Sequence, residues 1–209
     1  GDAPAISTVS LRRIGQYLAG AVNGRPVLVY RDRRPLDGTK IAYYTRGVLV
    51  KAEATKIYSN RFFDYEFNGA PTDWRPGFFT VAEVTNRWQC DPRWSFFSIR
   101  PLGYPNAYPP DNPNRLAVLW NKRPFKGDVT VEFFAGIKMT GERGGKYEYA
   151  RDINVTICSD GKDLNKGYTF MFGGFGNKGS YILRNGREVA SYGSGIPVGT
   201  TNFHRHWFY

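Results

Sequence analysis

An all-β fold, a single antiparallel β-sandwich of two sheets, is what the sequence predicts, and three observations carry it. Two Asn-Gly pairs, Asn23-Gly24 and Asn185-Gly186, each sit between apolar strand-length runs. Asn-Gly suits a two-residue hairpin because both central positions need positive φ. Apolar residues alternate with polar ones in several short runs, and 24 glycines with 13 prolines punctuate them. No segment carries the period of an amphipathic helix.

Along the chain, residues 9–18 and 26–31 form the first hairpin, and 40–59 reads as two strands broken at Gly47. Residues 60–86 read as an aromatic strand, a Pro/Asp turn and a second strand. Residues 101–115 hold five prolines, too many for a ladder, so they form a long loop that exposes Tyr104 and Tyr108. Strand character returns at 116–139, where Val129, Val131 and Phe133 face one way and Thr130 and Glu132 the other. Residues 151–158 alternate again, setting Asp152, Asn154 and Thr156 against Ile153, Val155 and Ile157. The two polar rows are expected on strands of one sheet. Residues 167–192 continue the meander, and Gly173-Gly174-Phe175-Gly176, without the helix context of a phosphate loop, reads as a bulge or bend.

At 209 residues, with 41% hydrophobic content, one sizeable core is the economical reading. The apolar runs are too short and too often interrupted by charge to span a bilayer, and the start, without a charged-then-apolar leader pattern, reads as that of a mature or trimmed chain. The net charge of +11 favours acidic partners. Its carriers, among them Arg12, Arg13, Arg31, Arg33, Arg34, Arg87, Arg93, Arg143 and Arg151, look scattered and fall in no nucleic-acid motif. An anionic polysaccharide therefore fits at least as well as nucleic acid. Cys90 and Cys158 fit one disulfide in an oxidising compartment or two buried thiols, and they form no metal pattern.

The segment from Phe63 to Tyr209, with DYEF, TDWRPGFFTVAEVTNRW, WNKRPFKGDVTVEF, DINVTICSDGKDLNKGYTFMFGG and a closing His-Trp strand, resembles bacterial laminin-G-like, concanavalin A-like jelly-roll modules. Their closing hairpin is matched by NGRPVLVYRDRRPLDG, which here comes first. The chain thus reads as one domain over 1–209, with closing strands in 9–59 and opening and middle strands in 60–209. Permutation, truncation and strand exchange between subunits each account for that order; the last would make it a self-associating structural subunit.

The resemblance implies an extracellular or cell-envelope module that binds glycan on a concave sheet, without chemistry of its own. Its ligand residues would be Trp88, Arg87, Trp94 and Arg93 of NRWQCDPRW, with Asn154, His204 and His206. His204 and His206, spaced i, i+2, project from one strand face. A polysaccharide hydrolase or lyase on the same fold would draw on Glu132, Asp152 and His206 as acid and base. Neither the paired carboxylates of jelly-roll glycosidases nor the Arg/Gln-His/Tyr motifs of the alginate-lyase type occur, which favours the binding module. Asp160, Asp163 and Asn165 are spaced like part of a calcium loop, and jelly rolls of this kind often hold a structural calcium. The same spacing also makes an Asx-turn. Asn154-Val155-Thr156 is formally a glycosylation sequon, but it lies within a strand.

Overall fold

The computed structural model describes residues 7–46, 49–65, 72–77, 88–90, 96–98, 116–138 and 153–193. In chain order the strands are β1 (Ser7–Ile14), β2 (Tyr17–Val22), β3 (Arg25–Arg31), β4 (Lys40–Arg46) and β5 (Leu49–Tyr58). Next come β6 (Phe62–Tyr65), β7 (Trp74–Gly77), β8 (Trp88–Cys90), β9 (Phe96–Ser98) and β10 (Leu116–Asn121). Then follow β11 (Val129–Lys138), β12 (Ile153–Ser159), β13 (Tyr168–Gly173), β14 (Gly179–Arg184) and β15 (Arg187–Tyr192). A single helical turn, α1 (Gly174–Asn177), joins β13 to β14 where the Gly-rich sequence suggests only a bend.

The strands pair antiparallel in two sheets, so the all-β sandwich read from the sequence is the fold. The first sheet has the order β3-β2-β1-β11-β5-β9-β8, with β6 also paired to β5. The second has the order β15-β14-β13-β12-β4-β10-β7. Strands from 9–59 are woven into both: β1 lies beside β11, β5 follows β11, and β4 sits between β12 and β10. Both Asn-Gly turns adopt the left-handed backbone that their composition calls for, with φ of 51° and 73° at Asn23-Gly24 and 48° and 75° at Asn185-Gly186. Among the described residues no helix is long and apolar enough to cross a membrane.

The main core lies between the sheets. Val9, Leu11, Val131 and Phe133 of the first sheet meet Tyr43, Val155, Ile157 and Phe170 of the second, all buried. Gly20 of β2 is required by this approach, because a Cβ there would stand 2.5 Å from the Phe170 ring. Arg13 also points inward, donating to the carbonyl oxygens of Leu36 and Gly127 and lying 3.7 Å from the Cys158 sulfur. Cys158 is a buried free thiol, so of the two cysteine readings the thiol holds at this position. Burial pushes it up to about 11, against the pull of Arg13, which keeps it protonated at neutral pH.

Candidate functional site

The candidate site is the outer face of the first sheet. On β11 the alternation read from the sequence holds: Val129, Val131 and Phe133 are buried in the core, and Thr130 and Glu132 are half-buried on the other side. The register carries that outer side across four strands. Arg12 stands opposite Thr130, Thr130 opposite Tyr58, and Tyr58 opposite Phe62. The adjoining row runs Ser10, Glu132, Lys56 and Asp64. With neighbouring strands roughly 4.8 Å apart, each row is about 14 Å long.

Large apolar side chains stand exposed on this face, contrary to the usual solvated surface. Tyr58 is 43% exposed, Phe62 57% and Phe134 40%. The Tyr58 and Phe62 rings have centroids 5.0 Å apart at 34°. Ile14, Tyr17 and Val29, also exposed, continue the surface over β1, β2 and β3. Exposed apolar side chains set among polar ones mark interaction surfaces. Here polar groups lie between the rings, with the Glu132–Lys56 row separating Tyr58 from Phe134: acceptors from Glu132 and Asp64, donors from Arg12 and Lys56, and hydroxyls from Ser10 and Thr130 that serve as either. A bulge in β5 adjoins the rows: Glu132 pairs with Lys56 but Phe134 pairs with Glu53, and Ala54 takes φ 39°.

The hairpin that presents Tyr58 and Phe62 is anchored from beneath. Its turn is closed by the Ser59 N–H donating to the Arg61 oxygen at 3.0 Å. Phe63, on the other face of β6, packs edge-on against Phe125, and Tyr65 packs edge-on against Trp74. Trp74 stacks on Tyr43 of the core, with centroids 5.1 Å apart. The Tyr65 hydroxyl donates to Asp73 Oδ2 at 2.9 Å and accepts from Asn121 Nδ2 at 3.2 Å. Arg123 Nε donates to the same Asp73 oxygen, while the Arg123 guanidinium lies 5.2 Å from the Phe63 ring centroid. The hydrogen bond from Arg123 holds the Asp73 carboxyl below the usual range, and burial pushes Tyr65 up to about 12. At neutral pH both groups therefore keep the protonation states their bond requires.

The polar row on β12 is placed differently from the expectation. β11 and β12 follow one another in the chain but belong to different sheets, so Glu132 and Asn154 do not share a face. Asn154 is 1% exposed and Thr156 0%, on the outer side of the second sheet among Ala42, Tyr44 and Trp120, with Leu164 packed in the same cluster. Thr156 and Thr169 satisfy each other by a hydroxyl pair at 2.8 Å. Trp88 lies in β8 at the far end of the first sheet. Arg87, Arg93, Trp94, Asp152, His204 and His206 lie outside the described residues, as do Tyr104 and Tyr108.

The Asp160 loop takes the Asx-turn form. Asp160 Oδ1 accepts from the N–H groups of Lys162 at 2.8 Å and Asp163 at 3.0 Å, and Asp163 Oδ1 accepts from the Asn165 N–H at 2.8 Å. The Asp163 N–H bond holds the Asp160 carboxyl below its usual range. Among the described residues no group of three or more His, Cys, Asp or Glu could hold a metal ion.

Tyr58, Phe62 and Lys56 were not among the residues the sequence singles out, and Arg12 enters there only as one of the scattered basic residues. Their signal is the short Ser-Asn-Arg turn between KIY and FFDY, which pairs Tyr58 with Phe62 across a tight hairpin. No protein-family model matches the chain, and no curated protein matches it.

Proposed function

We propose that this chain is a non-catalytic glycan-binding module of jelly-roll type, working outside the cell or in its envelope, and that the outer face of its first sheet is the binding surface. The observation that carries the reading is the exposed Tyr58–Phe62 ring pair lying in register with Thr130 and Arg12, beside the Ser10–Glu132–Lys56–Asp64 row. Aromatic rings give sugar C–H surfaces an apolar platform, and adjacent donors and acceptors fix the hydroxyls. A second copy of the chain is a poorer occupant, because two molecules of charge +11 repel.

Affinity electrophoresis and calorimetry against a panel of soluble neutral and acidic polysaccharides test this reading. The double variant Tyr58→Ala/Phe62→Ala is expected to bind about tenfold more weakly or worse, at about 0.5–1.5 kcal/mol per aromatic contact. Its melting temperature should stay close to the parent's, since both rings are largely exposed. Unchanged affinity in the double variant, or no retardation by any polysaccharide, would remove the proposal.

A further inference from the structure

Three of the arginines that look scattered in the sequence, Arg31, Arg33 and Arg34, are brought by the fold beside Arg184 and Arg187, where β3 lies against β14 and β15 at the side of the sandwich. Asp32, which follows β3, is 5% exposed and organises them. Its Oδ2 accepts from Arg184 Nε at 2.6 Å and from the Tyr168 hydroxyl, and its Oδ1 accepts from the Arg34 N–H at 2.8 Å. Arg184 Nη2 donates to the Arg34 carbonyl at 2.8 Å, and the Tyr168 hydroxyl accepts from the Leu36 N–H at 2.8 Å. Arg187 stands opposite Arg184 across the Asn185-Gly186 turn. The segment carrying Arg33 and Arg34 is thereby fixed beside Arg184 and Arg187.

Of these, Arg184 has its charge engaged by Asp32. Arg33, Arg34 and Arg187 are exposed and make no ion pair among the described residues. Arg31 is held by Gln16 Oε1 at 3.1 Å and lies 5.7 Å over the Tyr17 ring centroid. Asp37 and Glu188 are the exposed carboxylates flanking the cluster in sequence. Arg33 and Arg34 on a segment tied down through a buried acid, with Arg31 before them and Arg187 across the β14–β15 turn, are four guanidinium groups with no carboxylate partner among the described residues, and such forks suit oxyanions.

We infer that this cluster binds the carboxylate or sulfate groups of an acidic glycan whose sugar rings lie on the first sheet's outer face. The ligand's being a glycan rests on the function proposed above; the oxyanion site rests on the arginines alone. The two surfaces are continuous, since the row Ile14–Tyr17–Arg31 ends the sheet face at this cluster and Arg12 stands one row further in. A single-stranded nucleic acid is the competing polyanion; Tyr17 already carries the Arg31 guanidinium 5.7 Å from its ring centroid, which leaves less of that ring for a base to stack on.

The test titrates the full chain and Arg33→Gln/Arg34→Gln with polygalacturonate, heparin, a neutral β-glucan and oligo-dT, at about 50 mM and about 300 mM salt. The expected result is acidic glycan bound at least about tenfold tighter than neutral glycan, with affinity falling as salt rises. The arginine variant should lose about tenfold on acidic glycan while its neutral-glycan binding and melting temperature stay unchanged. Equal affinity of the variant and the parent for acidic glycan overturns the inference and leaves the glycan reading standing. Tighter binding of oligo-dT than of either acidic glycan overturns it in favour of a nucleic-acid surface. Acidic-glycan binding that is lost in the arginine variant but kept in Tyr58→Ala/Phe62→Ala upholds the oxyanion site and removes the sheet face.

Discussion

Replacing Asp32 with alanine is expected to lower the unfolding free energy by about 3 kcal/mol, the lower end of what breaking a buried ion pair costs. The lower end applies because the Arg184 side chain is 29% exposed and keeps some hydration. The variant leaves the Tyr168 hydroxyl and the Arg34 N–H without their acceptor as well. Asp32→Asn, which retains an acceptor but not the charge, should cost less. Burial raises the Asp32 carboxyl, but the hydrogen bonds from Tyr168, Arg184 and Arg34 outweigh it, so its folded pKa lies below the unfolded value. A carboxyl depressed in this way stabilises the fold fully above the unfolded pKa of about 4, and its contribution disappears as pH falls through the folded pKa. Asp32→Asn should therefore flatten the loss of stability below about pH 4. A remaining slope is expected from Asp73, which Arg123 also holds low. Urea unfolding followed by tryptophan fluorescence across pH measures both effects. An unchanged acid limb in Asp32→Asn would contradict the role given to this carboxylate.

The elements were more legible than their partners. Alternation at Val129–Phe133 and the Asn-Gly turns at 23–24 and 185–186 locate strands and hairpins, because period and φ requirements are local properties. Placing Glu132 and Asn154 on one sheet relied on the tendency of consecutive strands to neighbour each other, which β11 and β12 break by belonging to opposite sheets. Alternation in β12 also reports only that two faces differ in chemistry. It does not show that one is wet: Thr156 is buried because Thr169 supplies its hydrogen-bond partner. The arginine cluster was hidden for a related reason. Arg34 and Arg184 meet through Asp32 and the Arg34 carbonyl, a contact that depends on β3 lying against β14 and β15 at the side of the sandwich. Composition gives the surplus of positive charge, and only the closure of the two sheets concentrates it.

Adjacent phenylalanines on β11 offer the sharpest test of which side of the first sheet is available to a ligand. Phe133 is 1% exposed, and its ring centroid lies 4.4 Å from that of Tyr43 across the core. Phe133→Ala is expected to cost about 3–5 kcal/mol, from lost burial plus the cavity left between the sheets. Tyr43 cannot readily turn to fill that space, because its hydroxyl is committed to Thr55 at 3.1 Å and its ring is stacked on Trp74. Since Trp74 in turn supports Tyr65 beneath the Tyr58–Phe62 hairpin, the Phe133 variant should also bind ligand more weakly than its residual folded fraction accounts for. Phe134→Ala, one residue on, is expected to change stability by less than about 1 kcal/mol, because that ring is already exposed on the outer face. On the proposed function its effect falls on binding, because it lies diagonal to Lys56 and two residues from Glu132 on the same face of β11. Chemical denaturation of the two single variants separates them directly. Comparable stability losses at both positions would mean that the outer face of β11 is covered in the folded protein, and the ligand surface would have to be sought elsewhere.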